Sequence, residues 1–164
     1  MKKFLFAALL LVALGVANNA IAQKDWRMGI SVMPGVATNG GYGFALGSDV
    51  RFQKGIGNNL SFILTTGVTG FFKKNPVVGM SYVPVKTGLK YFFDKNFYGG
   101  GEVGLGFGMV KGSGRSFIWA PTIGLSFKKV DISVKYEDAS DFKFVKDYTN
   151  NNYCKQFALR IAYG

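Results

Sequence analysis

The stretch Glu102-Val103-Gly104-Leu105-Gly106-Phe107-Gly108-Met109 carries a bulky apolar residue at every second position and a glycine or a charge between them. Because successive side chains of a β-strand point to opposite faces, this period of two predicts a strand with one apolar face and one small face. No useful run of apolar residues at the helical spacing i, i+3, i+4 and i+7 follows Ala22. The stretch therefore predicts that the chain is all-β.

The same alternation recurs along the chain and predicts eight amphipathic strands in total. Most segments approach the 9–11 residues that a tilted strand needs to cross a bilayer. No helical crossovers separate them, so the sheet is expected to be an antiparallel, up-and-down barrel. The segments are Trp26 to Val36, Tyr42 to Phe52, Leu60 to Thr69, Val83 to Phe93, Glu102 to Met109, Phe117 to Phe127, Val130 to Glu137 and Gln156 to Tyr163.

The connections between these segments alternate in length. Tight connections occur at 54–58, 94–96 and 128–129, whereas 72–81 and 138–153 are the longest. Transmembrane β-barrels have short periplasmic turns and longer outer loops, so the sequence predicts that both chain ends lie on the periplasmic side. The first connection, 37–41, should be an outer loop but is short, so the match is partial.

The two faces of the segments predict which side meets lipid. An eight-stranded barrel has an interior just wide enough for side chains to fill, and a ring of Trp and Phe from every strand would overfill it. The bulky face is therefore expected to face lipid; a soluble barrel with the apolar face inward is the alternative. Aromatic residues at segment ends suggest interfacial girdles: Trp26, Tyr42, Phe71, Phe72, Phe92, Phe93, Phe97, Tyr98, Phe117, Phe127, Tyr136 and Tyr163.

The small face carries charges of both signs. In a narrow barrel these charges must be paired and hydrogen-bonded, because an unpaired buried charge is costly. The sequence thus predicts an interior charge network, in which the excess of basic groups is solvated near the barrel ends. Its members are Arg27, Asp49, Arg51, Lys86, Lys90, Glu102, Asp131, Lys135, Glu137 and Arg160. Cys154 falls on the same face, as an inert filler.

The outer loops supply the candidate binding residues, because loops on a rigid scaffold often carry binding. Their basic residues could hold lipopolysaccharide phosphates or a surface glycan, or could merely solvate the loops. These residues are Lys73, Lys74, Lys111, Arg115, Lys143 and Lys146. Glu137, with Asp138 or Asp141, is either a weak calcium site or solvated loop charge.

The first 22 residues read as a secretory signal. Lys2 and Lys3 precede an apolar run, and Ala20-Ile21-Ala22 forms a small-x-small cleavage site. An uncleaved N-terminal anchor is the alternative. Cleavage leaves residues 23–164 as the barrel domain and lowers the formal charge from +11 by the two lysines.

The chain is not expected to be an enzyme or to hold a cofactor or metal. It contains no histidine, which removes the commonest general base and metal ligand. Its single cysteine, Cys154, allows no internal disulfide, so stability must come from elsewhere.

The chain resembles the small outer-membrane β-barrel family that includes the porin-like transmembrane domain of outer membrane protein A and the opacity-type adhesins. The resemblance rests on the strand pattern, on residues 89–99 (LKYFFDKNFYG) and on residues 101–108 (GEVGLGFG). It implies a bacterial outer-membrane location but no single activity. Family members tend to end in an aromatic residue, whereas here Gly164 follows Tyr163.

Three functions remain open on the sequence. The first is a structural or surface-interaction role through the outer loops, the second a narrow pore for ions or small solutes, and the third a soluble periplasmic ligand-binding barrel. The expected partners are outer-membrane lipids, lipopolysaccharide and a surface glycan or protein. No nucleic acid is expected, and the chain is expected to be a monomer.

Overall fold

The structure, a computed structural model, describes residues 26–38, 42–73, 79–139, 142 and 154–164, so the predicted signal segment lies outside it. The described residues form eight strands. They are β1 (Trp26–Ala37), β2 (Tyr42–Gly55), β3 (Leu60–Lys73), β4 (Ser81–Phe92), β5 (Phe97–Gly108), β6 (Arg115–Ser126), β7 (Val130–Ala139) and β8 (Cys154–Tyr163). No helix in the described residues is long and apolar enough to cross a membrane.

The eight strands form one closed antiparallel barrel in chain order, as the sequence predicted. β1 closes the sheet against β8, with Val32 opposite Ile161. Three short turns, 56–59, 93–96 and 127–129, lie at the same end as Trp26 and Tyr163; we call this the turn end. The opposite end, at which the other four connections lie, is the loop end. Because every strand is paired on both sides, the sheet leaves no open edge.

Bulky apolar side chains cover the outside of the barrel. On β1, β5 and β8, for example, Ile30 is 60% exposed, Val103 48% and Leu159 43%. Apolar surface of this extent on every strand would be unfavourable in water, at about 25 cal/mol per Å². The observed faces are therefore those of a membrane barrel rather than of a soluble barrel with an apolar lumen.

Three aromatic residues that the sequence assigned to the girdles point into the lumen instead. Tyr42 turns inward because Tyr42 pairs with Lys73 and Phe44 with Phe72, which leaves Gly43 as the extra residue of a β-bulge. Phe71 and Tyr98 are 1% and 0% exposed. Each has an outward aromatic neighbour in the chain, and only one of two consecutive strand residues can face lipid.

A cluster of apolar side chains, the loop-end plug, fills the lumen next to the long connections. Its rings pack in sequence: Phe71 lies 6.2 Å from Tyr82, and Tyr82 lies 5.1 Å from Phe142. Phe142 comes from the 140–153 connection and is only 6% exposed. The plug comprises Tyr42, Ala45, Phe71, Met80, Tyr82, Ile118, Ala139, Phe142 and Cys154. The inward position predicted for Cys154 is observed, since its side chain is fully buried.

The plug leaves no room for a larger side chain at Gly106. A Cβ there would lie 2.9 Å from Ile118 and 3.0 Å from Phe142. We expect Gly106→Phe to lose about 1–3 kcal/mol of folding free energy, because overpacking forces side chains off their rotamers. Gly101→Phe is the matched control, since Gly101 is exposed on the same strand and a Cβ there meets no atom within 4 Å. Urea titration of both variants in micelles measures the effect; equal stabilities would contradict a filled lumen.

Candidate functional site in the barrel interior

Charged side chains fill the middle of the lumen. They project inward from five strands, β2, β4, β5, β7 and β8, at the positions that strict alternation assigns to the small face. The structure brings together nine of the ten predicted residues: Asp49, Arg51, Lys86, Lys90, Glu102, Asp131, Lys135, Glu137 and Arg160. Five of these seven ion pairs join strands that are not neighbours in the sheet; Arg160–Asp131 joins the neighbours β8 and β7, and Lys135–Glu137 lies within β7.

Glu137 is the acceptor nearest the loop-end plug. Its carboxylate pairs with the ammonium groups of Lys86 and of Lys135, the latter at 3.3 Å. The Tyr82 hydroxyl donates to it at 2.6 Å and the Gln156 amide at 3.4 Å. Three hydrogen-bond donors and the Lys135 ammonium converge on one carboxylate that is 1% exposed, so its charge is held by the protein and not by water.

Glu102 forms the second centre of the network. Arg51 lies 3.3 Å from its carboxylate and Lys135 lies 3.0 Å away. Lys135 thus bridges Glu102 and Glu137 and links two acidic centres through one cation. The Arg51 Nε also donates to the Thr65 hydroxyl at 3.4 Å, which fixes the guanidinium on the wall of β3.

The turn-end part of the network is built around two aspartates. Arg160 donates to both oxygens of Asp49, at 2.8 and 3.2 Å, and lies 3.4 Å from Asp131. Asp131 also pairs with Lys90 at 2.6 Å and accepts from the Tyr98 hydroxyl at 2.8 Å. The Lys90 ammonium lies 3.8 Å from the centre of the Tyr98 ring, within cation–π range.

Together the network and the plug occupy the middle and the loop end of the lumen. Each of the nine charges has at least one partner of opposite sign within 4 Å. Breaking such a buried pair on one side usually costs about 3–5 kcal/mol, because an uncompensated charge remains. Ion pairs that cross the lumen in this way brace the barrel wall from inside.

Arg27 is the predicted member that the structure places elsewhere. It is exposed at the turn end of β1, opposite Gln53, and makes no ion pair with any described residue. At the open mouth of the lumen, water solvates the guanidinium and no carboxylate partner is required. Arg27 is thus not part of the interior network.

The predicted loop residues are only partly described. Lys111 and Arg115 are exposed at the 109–114 connection and the start of β6. The side chain of Lys73 and residues Lys74, Lys143 and Lys146 lie outside the described part of the chain. Within the described part, Lys111 and Arg115 are therefore the two predicted binding residues whose exposure at the loop end is observed.

In the described part of the chain, Glu137 and Asp138 do not converge on a common cation site. Glu137 lies within β7 and not in the loop, and lysines occupy its oxygens. Asp138 is the next residue, faces the opposite side, and pairs with Lys155 at 3.0 Å. Asp141 lies outside the described residues, among which no group of three or more potential ligands could hold a metal ion.

The network also contains neutral polar members that the sequence did not predict. Tyr82, Tyr98 and Gln156 donate to its carboxylates, and Gln53 accepts from Lys90 at 3.4 Å. The period of two identified Gln156 as inward. The aromatic ring of Tyr98 suggested a place in the girdle at the membrane–water interface, although its position in the alternation indicated the lumen.

A closed eight-stranded antiparallel barrel, apolar outside and filled with paired charges, defines the fold class of small transmembrane β-barrels. No protein-family model and no curated protein matches the chain. Among solved structures it is similar to a designed transmembrane β-barrel, with 13% identity and a TM-score of 0.55 over 86% of this chain and 97% of that one.

The chain is also similar to Ail, the attachment invasion locus protein of Yersinia pestis. The identity is 14% and the TM-score 0.57, over 85% of this chain and 97% of Ail. A structure of Ail in complex with the heparin analogue sucrose octasulfate gives 13% identity and a TM-score of 0.58, over 85% and 96% of the two chains. At these identities the similarity extends to the fold alone.

Proposed function

We propose that this chain is a bacterial outer-membrane barrel that conducts no solute and serves as a structural or interaction scaffold through its loop end. The observation that carries the proposal is the closed lumen, in which paired charges fill the middle and the plug fills the loop end. A rigid barrel with paired strand edges gives the loops a fixed base. The proposal includes kinship with the barrels of outer membrane protein A and the opacity-type adhesins.

The proposed partner of the loop end is an anionic glycan or the phosphates of lipopolysaccharide. In the described connection 109–114 and the residue after it, Lys111 and Arg115 are exposed and no acidic residue occurs. Positive charge of this kind attracts phosphate and sulfate groups. Ail, which shares the fold, has been solved with a sulfated heparin analogue, and this supports testing a polyanion.

We expect the protein, reconstituted into a planar bilayer, to give no current steps above those of protein-free bilayers. A hydrated ion would have to displace several buried ion pairs and then the plug, and each broken pair costs about 3–5 kcal/mol. An outer-membrane porin reconstituted in parallel shows that the bilayer reports conduction. Regular steps from this chain would instead establish the narrow pore.

We expect cells that display the protein to bind labelled heparin, and Lys111→Gln with Arg115→Gln to reduce that binding severalfold, because two exposed positive charges are removed. The matched control is Lys54→Gln with Lys95→Gln, which removes two charges from the turn end, away from the cell exterior. Equal binding by both double variants and the unaltered protein would contradict a polyanion-binding loop end.

Detection of the folded, heat-modifiable band in the outer-membrane fraction tests the location of the protein independently of heparin binding.

A further inference from the structure

A polar cavity of about 880 Å³ opens at the turn end of the lumen. The turns 56–59 and 93–96 form two of its walls, and Lys128 of the third turn borders it. Its volume falls in the range of ligand pockets, about 300–1,000 Å³. A smaller recess of about 60 Å³ shares Arg27 and Lys128 with it and continues inward to the interior network. We call the larger cavity, of about 880 Å³, the turn-end vestibule.

The vestibule is positively charged, in contrast to the balanced network beneath it. Its described lining holds three cationic side chains, Arg27, Lys95 and Lys128, against one carboxylate, Asp94. None of the three cations takes part in an ion pair within the described ranges. The lining therefore carries two uncompensated positive charges.

Neutral hydrogen-bonding groups surround these charges. They are the side chains of Gln53, Asn58, Asn59, Ser61, Asn96 and Ser126. Amide and hydroxyl groups can donate to an anion without adding charge, and the arginine fork matches two oxygens of one phosphate. The cations of the network below are already held in ion pairs, so an entering anion would meet the free cations of the vestibule first.

We propose that the turn-end vestibule binds a compact phosphate-bearing anion. A phosphate monoester carries a charge of about −1.5 to −2 at neutral pH, which balances the excess of two positive charges. Such a group could come from a phospholipid headgroup at the turn-end rim or from a soluble phosphate compound. That the vestibule faces the periplasm rests on the proposed function, whereas the binding itself does not.

The test is a titration of the full mature chain, refolded in a nonionic detergent, with inorganic pyrophosphate. We expect saturable shifts of the Asn96 and Ser126 amide signals in nuclear magnetic resonance spectra. The double variant Arg27→Gln with Lys128→Gln should raise the dissociation constant about tenfold, as expected for the loss of two partly exposed charge contacts. No saturable shift at these amides would overturn the proposal.

Lys54→Gln and Lys128→Gln form a matched pair of single variants. Lys54 lies at the same end, with its ammonium 5.3 Å from the Trp26 ring centre, but on the opposite face of β2 from Gln53 and outside the vestibule. Both lose one charge, and only Lys128→Gln should weaken binding. Equal weakening would overturn a vestibule site in favour of general charge attraction.

Varying the lipid composition of the bilayer distinguishes the two possible sources of the phosphate, a phospholipid headgroup and a soluble compound. The same amide shifts in bilayer discs that contain phosphatidylglycerol, compared with discs of phosphatidylcholine, would assign the site to a lipid headgroup. Shifts that appear only with added pyrophosphate would assign it to a soluble phosphate. Neither result depends on whether the loop end binds heparin, so failure of the vestibule and failure of the proposed function can be told apart.

Discussion

Glu137→Gln is expected to lower the folding free energy of the barrel by about 3–5 kcal/mol, the usual cost of leaving a buried charge without its partner. Lys86 has Glu137 as its only ion-pair partner among the described residues, and the Lys86 ammonium is completely buried. Glutamine can still accept hydrogen bonds from Tyr82 and one lysine, but it cannot compensate the charge. Urea titration of heat-modifiable migration in lipid vesicles measures the loss.

Two further variants test whether the loss of stability comes from the unpaired buried charge. Lys86→Met combined with Glu137→Gln removes the cation as well, so most of the stability should return. Asp94→Asn removes a carboxylate that is exposed in the turn 93–96, and its effect should stay within about 0.5 kcal/mol. A loss below about 1 kcal/mol for Glu137→Gln would mean that water reaches Lys86 and that the lumen is not sealed.

Val103→Arg should lower the folding free energy by about 2–4 kcal/mol, the cost of an arginine on the lipid face of a barrel at the bilayer midplane. Val103 lies at the middle of β5, is 48% exposed, and has Trp119 opposite it on β6. The fraction of the chain that reaches the folded, fast-migrating form in vesicles measures the effect.

The control for Val103→Arg is Ile56→Arg in the turn between β2 and β3. Ile56 is 54% exposed, similar to Val103, but lies beyond the end of the strands, where an arginine can reach water. Its effect should stay within about 0.5 kcal/mol. Equal folding of both variants would refute the assignment of the apolar face to lipid.

The period of two predicted most of the residues that face the lumen, because the burial of a strand residue depends on its position in the alternation as well as on its type. Ile63 illustrates this: its apolar side chain interrupts the hydrophobic pattern, yet it occupies an inward position and is 2% exposed. The same argument placed Glu102 and Arg160 inside. It did not apply to Tyr42, because a bulge at Gly43 shifts the alternation between Tyr42 and Phe44.

The sequence by itself determined the strand count and the antiparallel order, because these follow from local alternation and connection length. It predicted the face that meets lipid, and the exposure of the apolar side chains on the closed barrel then excluded the soluble alternative. Only the tertiary structure decided which charges pair. Arg160 and Asp49 are 111 residues apart in the chain yet 2.8 Å apart in the lumen, and that distance depends on closure and register. Closure and register also place Arg27 at the mouth of the lumen, outside the interior network, and leave the turn end open and cationic. The depth of a residue along the barrel axis is a property of the closed sheet and not of the local sequence.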